Sequence, residues 1–304
     1  SLCRLGPDLN GPSADEVLAT QVCRAPQVQP IHPGSYVHVP NGLPAQAVAR
    51  LGFECWIKVW GLAGWQCVFS QMAQHVEAGE GFGLFVDPDG HLTLGCGALL
   101  RSPQPITLRQ WLHVAATFEH GRATLWIDGA CVASIDVAPT FNLPDGPIRL
   151  GACGVHGQAD LFFEGDLAMP ALYRSALDPA AIAQRFASRG LTPPKHPDLL
   201  ACWPLDEMHG PRVRDLGPHG RDGRLVNHGT RLINGPAFAP SSVPRYRGDD
   251  AHADARRDPR RAGLRLASDD LVDCQWRPTH EFTVPADARS GLYVARFAFS
   301  WQGA

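Results

Sequence analysis

Trp111-Leu112-His113-Val114-Ala115-Ala116-Thr117-Phe118, followed after a short break by Ala123-Thr124-Leu125-Trp126-Ile127-Asp128-Gly129-Ala130-Cys131-Val132-Ala133-Ser134-Ile135, decides the fold class. In the first run Leu112, Val114, Ala116 and Phe118 alternate with Trp111, His113, Ala115 and Thr117, so a strand of period two carries one wholly apolar face. Asp128-Gly129 stands between two β-rich runs, and Asp-Gly supplies the positive φ angles that a tight two-residue hairpin requires. An apolar face joined to a hairpin predicts an antiparallel sheet packed on a core from one side.

The same grammar extends in both directions. Asp87-Pro88-Asp89-Gly90 places a preset φ and a left-handed position between Gly83–Val86 and His91–Leu94, which predicts a second hairpin. Further strands are expected at Ser35–Pro40, Phe53–Trp60, Gln66–Gln71, Gly81–Val86, His91–Cys96, Ile148–Gly151, Leu167–Tyr173 and Leu199–Leu205. The fold class expected is all-β: an antiparallel β-sandwich of jelly-roll type. One helix interrupts it, Asp178 to Arg189, with Asp178 as N-cap, Pro179 in the first turn, Ile182 and Phe186 on one face and Gly190 to end it. A Pro-rich joint, Leu191 to Pro197, follows.

The 304 residues carry a formal charge of −3, and only Arg256 to Arg265 concentrates basic residues, so no basic face is offered to nucleic acid. No apolar run is long enough to span a bilayer, and the first residues do not read as a secretory signal. Nine cysteines with no CxxC pair fit neither a zinc ribbon nor a thioredoxin-type motif. Cys55, Cys67, Cys96 and Cys131 fall in strand runs and read as small buried hydrophobes, which suits a reducing cytoplasm.

The stretch Arg245–Arg265, rich in Arg, Asp and Ala, reads as an exposed linker. The divisions expected are a flanking strand and loop over 1–28, a sandwich over 29–240, a linker over 241–265 and a β segment over 266–304. That last segment holds β-like runs at Glu281–Pro285 and Gly291–Phe297, too few strands for a sheet, so they need partners such as Ser1–Leu5.

Two passages resemble the laminin-G-like module of the concanavalin-A superfamily. Trp111–Phe118 with Ala123–Gly129 is similar to its W-x-H-V-A-x-T-F and L-x-x-D-G hairpin, and Gly165–Ala168 through Tyr173–Asp178 is similar to its closing strand and helix. Cys202–Glu207 and Gly220–Val226 resemble pieces that often open such a module, so the module is either circularly permuted or completed from its other end. Phe282-Thr283-Val284-Pro285-Ala286-Asp287-Ala288-Arg289-Ser290-Gly291-Leu292-Tyr293-Val294-Ala295-Arg296 looks like an element of the N,N-dimethylformamidase large (beta) subunit, and Leu2–Gly6 through Asn10–Pro12 is similar to what precedes the lectin-like module there. The resemblance implies the non-catalytic N-terminal region of an amidohydrolase acting on small formamides. Its iron is expected only in a catalytic region absent from this chain. The implied partners are that region or sister subunits.

No catalytic set is found in the residues themselves. Glu164-Gly165-Asp166 is the nearest approach to the paired carboxylates of a glycosidase, but Ala168 and Met169 stand where the further carboxylate belongs. Asp87 with Asp89, Asp160 with Glu164, or Asp206 with Glu207 are the pairs from which calcium could draw ligands, although turn chemistry and solvation account for them too. His75, His113, His120, His156, His209, His219 and His228 show no metal-ligand spacing, and His113, opposite the core face, reads as solvated or hydrogen-bonded. The glycine clusters Gly81–Gly83, Gly95–Gly97 and Gly151–Gly154 complete no phosphate-binding loop, and no GxSxG elbow occurs.

Trp60 and Trp65 form the sugar-stacking platform of a carbohydrate-binding reading, while Trp56, Trp111 and Trp126 read as filling sandwich faces. The functions left open are therefore packing or assembly in an amidohydrolase, a free-standing lectin, and, last, a glycoside hydrolase.

Overall fold

In the computed structural model the described residues are 2–4, 16–20, 31–72, 80–155, 158–207, 209–232, 234–238, 262–274, 276, 278 and 281–296. The chain divides into two units, residues 1–31 with 273–304, and residues 32–272. The larger unit is a sandwich of two eight-stranded antiparallel sheets with small two-stranded ribbons beside them. The first sheet runs Ala130–Asp136, Arg122–Ile127, Leu112–Glu119, Arg50–Val59, Gly165–Tyr173, Leu264–Leu266, Thr230–Arg231, with Leu199–Cys202 also paired to Gly165–Tyr173. The second runs Arg212–Val213, Gly223–Val226, Tyr36–Val39, Ile148–Leu150, Gln66–Met72, Gly81–Val86, His91–Gly95, Leu99–Pro105.

Period-two patterning builds the core between the sheets. Phe53, Cys55, Ile57 and Val59 point inward from one strand and Val114, Ala116 and Phe118 from its neighbour, meeting Phe69, Phe82, Leu84 and Leu150 of the second sheet. Phe53 stacks on Phe69 at 4.2 Å between ring centroids. Both hairpin turns form. Asp128 and Gly129 take φ of 50° and 82°, and Gly90 takes 86° while its N–H bonds back to Asp87. Strand Gly81–Val86 has the expected bounds.

Helix Pro179–Ser188 is capped by the Asp178 carboxylate, which accepts the Ala181 N–H at 2.7 Å. Its left-handed C-cap falls on Arg189 at φ 48°, with Gly190 also at positive φ. No helix among the described residues is long and apolar enough to cross a membrane.

Strand Leu199–Cys202 is shorter than the expected Leu199–Leu205, and the segment after the helix takes one of the two alternatives the sequence left open. Cys202 joins the first sheet and Gly223–Val226 the second, so the segment after the helix completes the sandwich from its other end. Trp203, between them, is fully buried and donates its indole N–H to the Arg221 carbonyl at 2.8 Å. The expected linker ends inside the sandwich. Its first part lies outside the described residues, but Leu264–Leu266 pairs with Gly165–Leu167 and buries both leucines. Three residues of alternating pattern suffice for a strand when one is needed to cover an edge.

In the smaller unit Leu2–Arg4 pairs with Glu16–Ala19 on one side and Tyr293–Ala295 on the other, giving a three-stranded sheet from the two ends of the chain. Glu281–Pro285 is not a strand. Val284 is 68% exposed, so no apolar face holds it to a ladder, and Pro285 lacks the donor to extend one.

Cysteines 55, 67 and 96 are buried as expected, but Cys131 is exposed, because it lies on the edge strand of the first sheet. Burial pushes the Cys96 and Cys202 thiols up to about 12, which keeps them protonated and inert.

Candidate functional site

The outward face of the first sheet carries the chemistry. On strand Arg50–Val59 the residues between the core positions are Glu54, Trp56 and Lys58, a carboxylate, an indole and an ammonium group in one row. The helix covers the Glu54 end and leaves the Lys58 end to the strand Leu264–Leu266.

Glu54 is 1% exposed. Its cross-strand neighbours in the register are Ala115 and Ala171, whose methyl side chains leave room above the carboxylate for groups from farther away. Three groups fill that room. Arg185 of the helix donates Nε to Oε1 at 2.6 Å, the Tyr173 hydroxyl donates to the same oxygen at 2.6 Å, and His113 Nε2 meets Oε2 at 2.7 Å. An ionised carboxylate only accepts, so Nε2 carries the proton and His113 Nδ1 is left buried without a partner.

Burial alone would push the Glu54 carboxyl up. The His113 hydrogen bond, the Arg185 charge and the Tyr173 hydroxyl outweigh it and hold the group below the usual carboxylate range. Burial and the Glu54 charge push the Tyr173 phenol well up. With three donors on its two oxygens and the residue buried, Glu54 is a structural anion out of reach of a substrate.

Tyr173 reaches this cluster through a bulge. Asp166 and Tyr173 are seven residues apart, and an unbroken strand would point them to opposite faces. Between Ala168 and Ala171 the register shifts by one residue, with Met169 at φ 51°, so both end on the outward face. Above Tyr173 the helix and the Pro-rich joint enclose a cleft of about 330 Å³, lined by Leu177, Ala181, Arg185, Pro193, Lys195 and His196 among others.

At the other end of the row Asp166, fully buried, pairs with Lys58 Nζ at 2.7 Å and with Arg265 Nε at 2.8 Å. Lys58 lies 5.2 Å from the Trp60 ring and 5.0 Å from the Trp111 ring, and the Arg265 guanidinium lies 4.2 Å from the Trp60 ring centroid. Trp60 is 37% exposed and marks the open side of this cluster.

The carboxylates singled out in the sequence are occupied within the fold. Glu164 accepts the Ser268 N–H at 2.8 Å, and Asp166 holds its two cations, so the two do not face each other across a cleft. Asp87 accepts from the Asp89 and His91 N–H groups and from Arg101, which also holds Asp89. Asp160 caps the Leu161 N–H, Asp206 lies 3.6 Å from Arg214, and Glu207 takes the Arg214 N–H and Arg231. Among the described residues no three His, Cys, Asp or Glu side chains gather as a metal-ligand set.

His113 is hydrogen-bonded, as read, but buried rather than solvated. His120 accepts from Arg50 at 2.9 Å, His209, His219 and His228 belong to no metal-ligand set among the described residues, and His75 and His156 lie outside the described residues. Trp56 and Trp126 pack on the outward face of the first sheet, against Phe186 and Thr117 respectively, and not between the sheets. Trp65 packs edge-on to Phe85. Of the sequence-derived stacking pair, Trp60 is the more open ring.

Residues 33–183 match the family described as the concanavalin A-like lectin/glucanases superfamily, in its laminin-G type. The sandwich is a concanavalin A-like domain. Residues 245–303 match a second family, the N,N-dimethylformamidase beta subunit-like C-terminal region. No curated protein matches the chain.

Among solved structures, a proposed carbohydrate-binding protein of Bacteroides ovatus is 16% identical with a TM-score of 0.50, covering 65% of this chain and 58% of its own. A heptameric pentraxin of Limulus polyphemus is 20% identical with a TM-score of 0.39, covering 51% and 75%. The carbohydrate-binding module of a Ruminococcus gnavus sialidase is 16% identical with a TM-score of 0.40, covering 45% and 82%. This chain therefore spans little more than half the length of the Bacteroides protein, and at these identities the likeness is one of fold. The concanavalin A-like domain here draws strands from beyond the matched stretch, at Leu199–Cys202, Gly223–Val226 and Leu264–Leu266.

Proposed function

We propose that this chain is the lectin-like, non-catalytic region of an N,N-dimethylformamidase-like amidohydrolase, in which the sandwich serves domain packing or subunit assembly. One observation carries the reading. Strand Leu264–Leu266 falls within the stretch that matches the dimethylformamidase-type family, yet it is hydrogen-bonded into the concanavalin A-like sheet beside Gly165–Leu167. A binding module appended by a linker keeps its own sheet, whereas a shared strand makes two regions one folding unit. The internal pairing of Glu54 and Asp166 fits a structural role for the face they occupy.

The purified chain is expected to leave N,N-dimethylformamide unhydrolysed, and turnover by this chain alone would overturn the non-catalytic reading. In the native polypeptide, Leu264→Asp puts a charge at a fully buried position. The expected result is joint loss of assembly, followed by light scattering, and of formamide hydrolysis. Wild-type assembly and hydrolysis in a variant whose shared strand is shown by hydrogen exchange to be displaced would count against the packing role.

A second reading, carbohydrate binding, rests on the half-open Trp60 ring with Lys58 and Arg265 beside it, and on the Bacteroides protein's description. A glycan-array signal that falls at least tenfold on Trp60→Ala would support it. No signal from the wild-type chain would remove it.

A further inference from the structure

Across the second sheet the register sets Arg224 beside His38, His38 beside Arg149, and Arg149 beside Ser70. Paired residues on adjacent strands project to one face, here the face away from the core residues Val37, Val39, Ile148 and Leu150. The row holds two guanidinium groups and an imidazole, and no carboxylate. Exposure falls along it, from exposed Arg224 through half-buried His38 to Arg149, which is 7% exposed.

Arg149 is the anomaly in this fold. The other deeply buried charges are compensated: Glu54 by Arg185, Asp166 by Lys58 and Arg265, Asp87 by Arg101, and Asp215 by the backbone N–H groups of Cys202, Gly217 and Arg221. Among the described residues Arg149 joins no ion pair, and its Nε is buried without a hydrogen-bond partner. His38 Nδ1, on the adjoining strand, is a second buried orphan.

The side chains around them do not resolve the imbalance. The Ser70 hydroxyl already donates to the Ala152 carbonyl at 2.9 Å. Burial pushes the Cys67 thiol well up, and Cys153 is drawn below the usual thiol range by Cys67 beside it and, less, by the Arg149 charge, but its Sγ donates to the Gly154 carbonyl and, holding that proton, is no counter-charge. Burial, and then the Arg149 charge, hold His38 below the usual histidine range, so it stands neutral with one N–H to donate. A buried cation without a counter-charge is among the most unfavourable arrangements in a folded protein, and two neighbouring orphan nitrogens point to the same missing acceptor.

We propose that this row is a receptor for a small oxyanion, of the phosphate, sulfate or sugar-carboxylate class, seated against Arg149 and His38 with Arg224 at its open side. The planar guanidinium fork offers parallel donors to two oxygens of such a group, and the neutral imidazole supplies another. The site lies on the opposite sheet from the Glu54 and Asp166 clusters, and it does not depend on the packing role argued above.

The test is thermal unfolding of the full chain, titrated with inorganic phosphate, sulfate or glucuronate at constant ionic strength made up with sodium chloride. The wild-type midpoint is expected to rise saturably, by about 5 °C when the anion exceeds its Kd a hundredfold. Arg149→Met is expected to melt higher than wild type in chloride, because an apolar chain replaces an unpaired buried cation, and to show no saturable response. A general salting effect of phosphate or sulfate raises both proteins in parallel.

Parallel responses, or no wild-type response beyond chloride, would overturn the proposal. Arg149→Lys keeps the charge and loses the fork. By calorimetric titration of phosphate it is expected to bind at least tenfold more weakly than wild type, and equal binding would likewise overturn the proposal. If glucuronate binds more tightly than phosphate the ligand is a sugar acid, and the reverse order makes it a free inorganic anion; either order supports the receptor.

Discussion

Glu54→Ala is expected to lower the midpoint of thermal unfolding by about 10 °C. The substitution removes the acceptor shared by Arg185, Tyr173 and His113, and the Arg185 side chain is only 11% exposed, so its charge is left in the interior. Breaking a buried pair from one side costs about 3–5 kcal/mol, and each kcal/mol moves the midpoint of a domain this size by about 2–4 °C. The consequence extends to the helix, since Arg185 is its deepest polar anchor and Ile182 its only fully buried apolar one. Hydrogen exchange of the Pro179–Ser188 amides should therefore rise before the sheet amides do. A variant with wild-type melting and unchanged helix protection would show that the network is incidental.

The same cluster fixes an acid limit. The Glu54 carboxyl is held below its ordinary value of 4.5 by His113, Arg185 and Tyr173 against the opposing effect of burial. A carboxyl whose folded value is depressed contributes stability that is fully present above the unfolded value, and this is lost as pH falls through the folded one. Glu54→Gln mimics the protonated state. The gap in melting temperature between wild type and Glu54→Gln is expected to be constant from pH 7 to about 5 and to close on acidification below 4.5. A gap that persists unchanged at pH 3 would assign the effect to packing.

How far the sequence carries these sites differs between the elements. The sandwich was legible because period-two runs, Asp-Gly turns and the Asp178 cap are local signals, and a strand such as Gly81–Val86 needs nothing distant to be recognised. The row Glu54, Trp56 and Lys58 was also readable in principle, as the polar alternate of Phe53, Cys55, Ile57 and Val59. Its partners were not. Tyr173 joins Asp166 on one face only through the bulge at Met169, and no composition signal announces a bulge. Arg185 looks like an ordinary basic residue near a helix end until the tertiary fold lays it over Glu54. Arg149 and His38 are 111 residues apart in sequence and are adjacent only because Ile148–Leu150 inserts between Tyr36–Val39 and Gln66–Met72. Composition misled at Leu264–Leu266, where a short apolar alternation at the end of an Arg-rich stretch read as linker.

That strand is also where the second large effect is expected. Asp166→Ala leaves Lys58, at 8% exposure, facing Arg265 with no anion between them. Two like charges in a poorly solvated site repel, and the loss of a buried partner adds a cost of about 3–5 kcal/mol. Arg265 can turn to solvent, since its side chain is 40% exposed, whereas Lys58 cannot without moving its strand. The relief therefore comes at the edge: Leu264–Leu266 is expected to detach from Gly165–Leu167 while the inner strands stay paired. Limited proteolysis should cut near Arg265 in Asp166→Ala under conditions that leave the wild-type chain whole, with a melting midpoint lower by about 10 °C. Arg265→Ala, which removes only the exposed member of the trio, is expected to cost about 1 kcal/mol and to keep the strand protected. Lys58→Met combined with Asp166→Leu replaces the buried ions by apolar groups of similar volume and should recover most of the loss. Recovery of the midpoint without recovery of protease resistance would separate the two roles of Asp166, neutralising Lys58 and holding the shared strand.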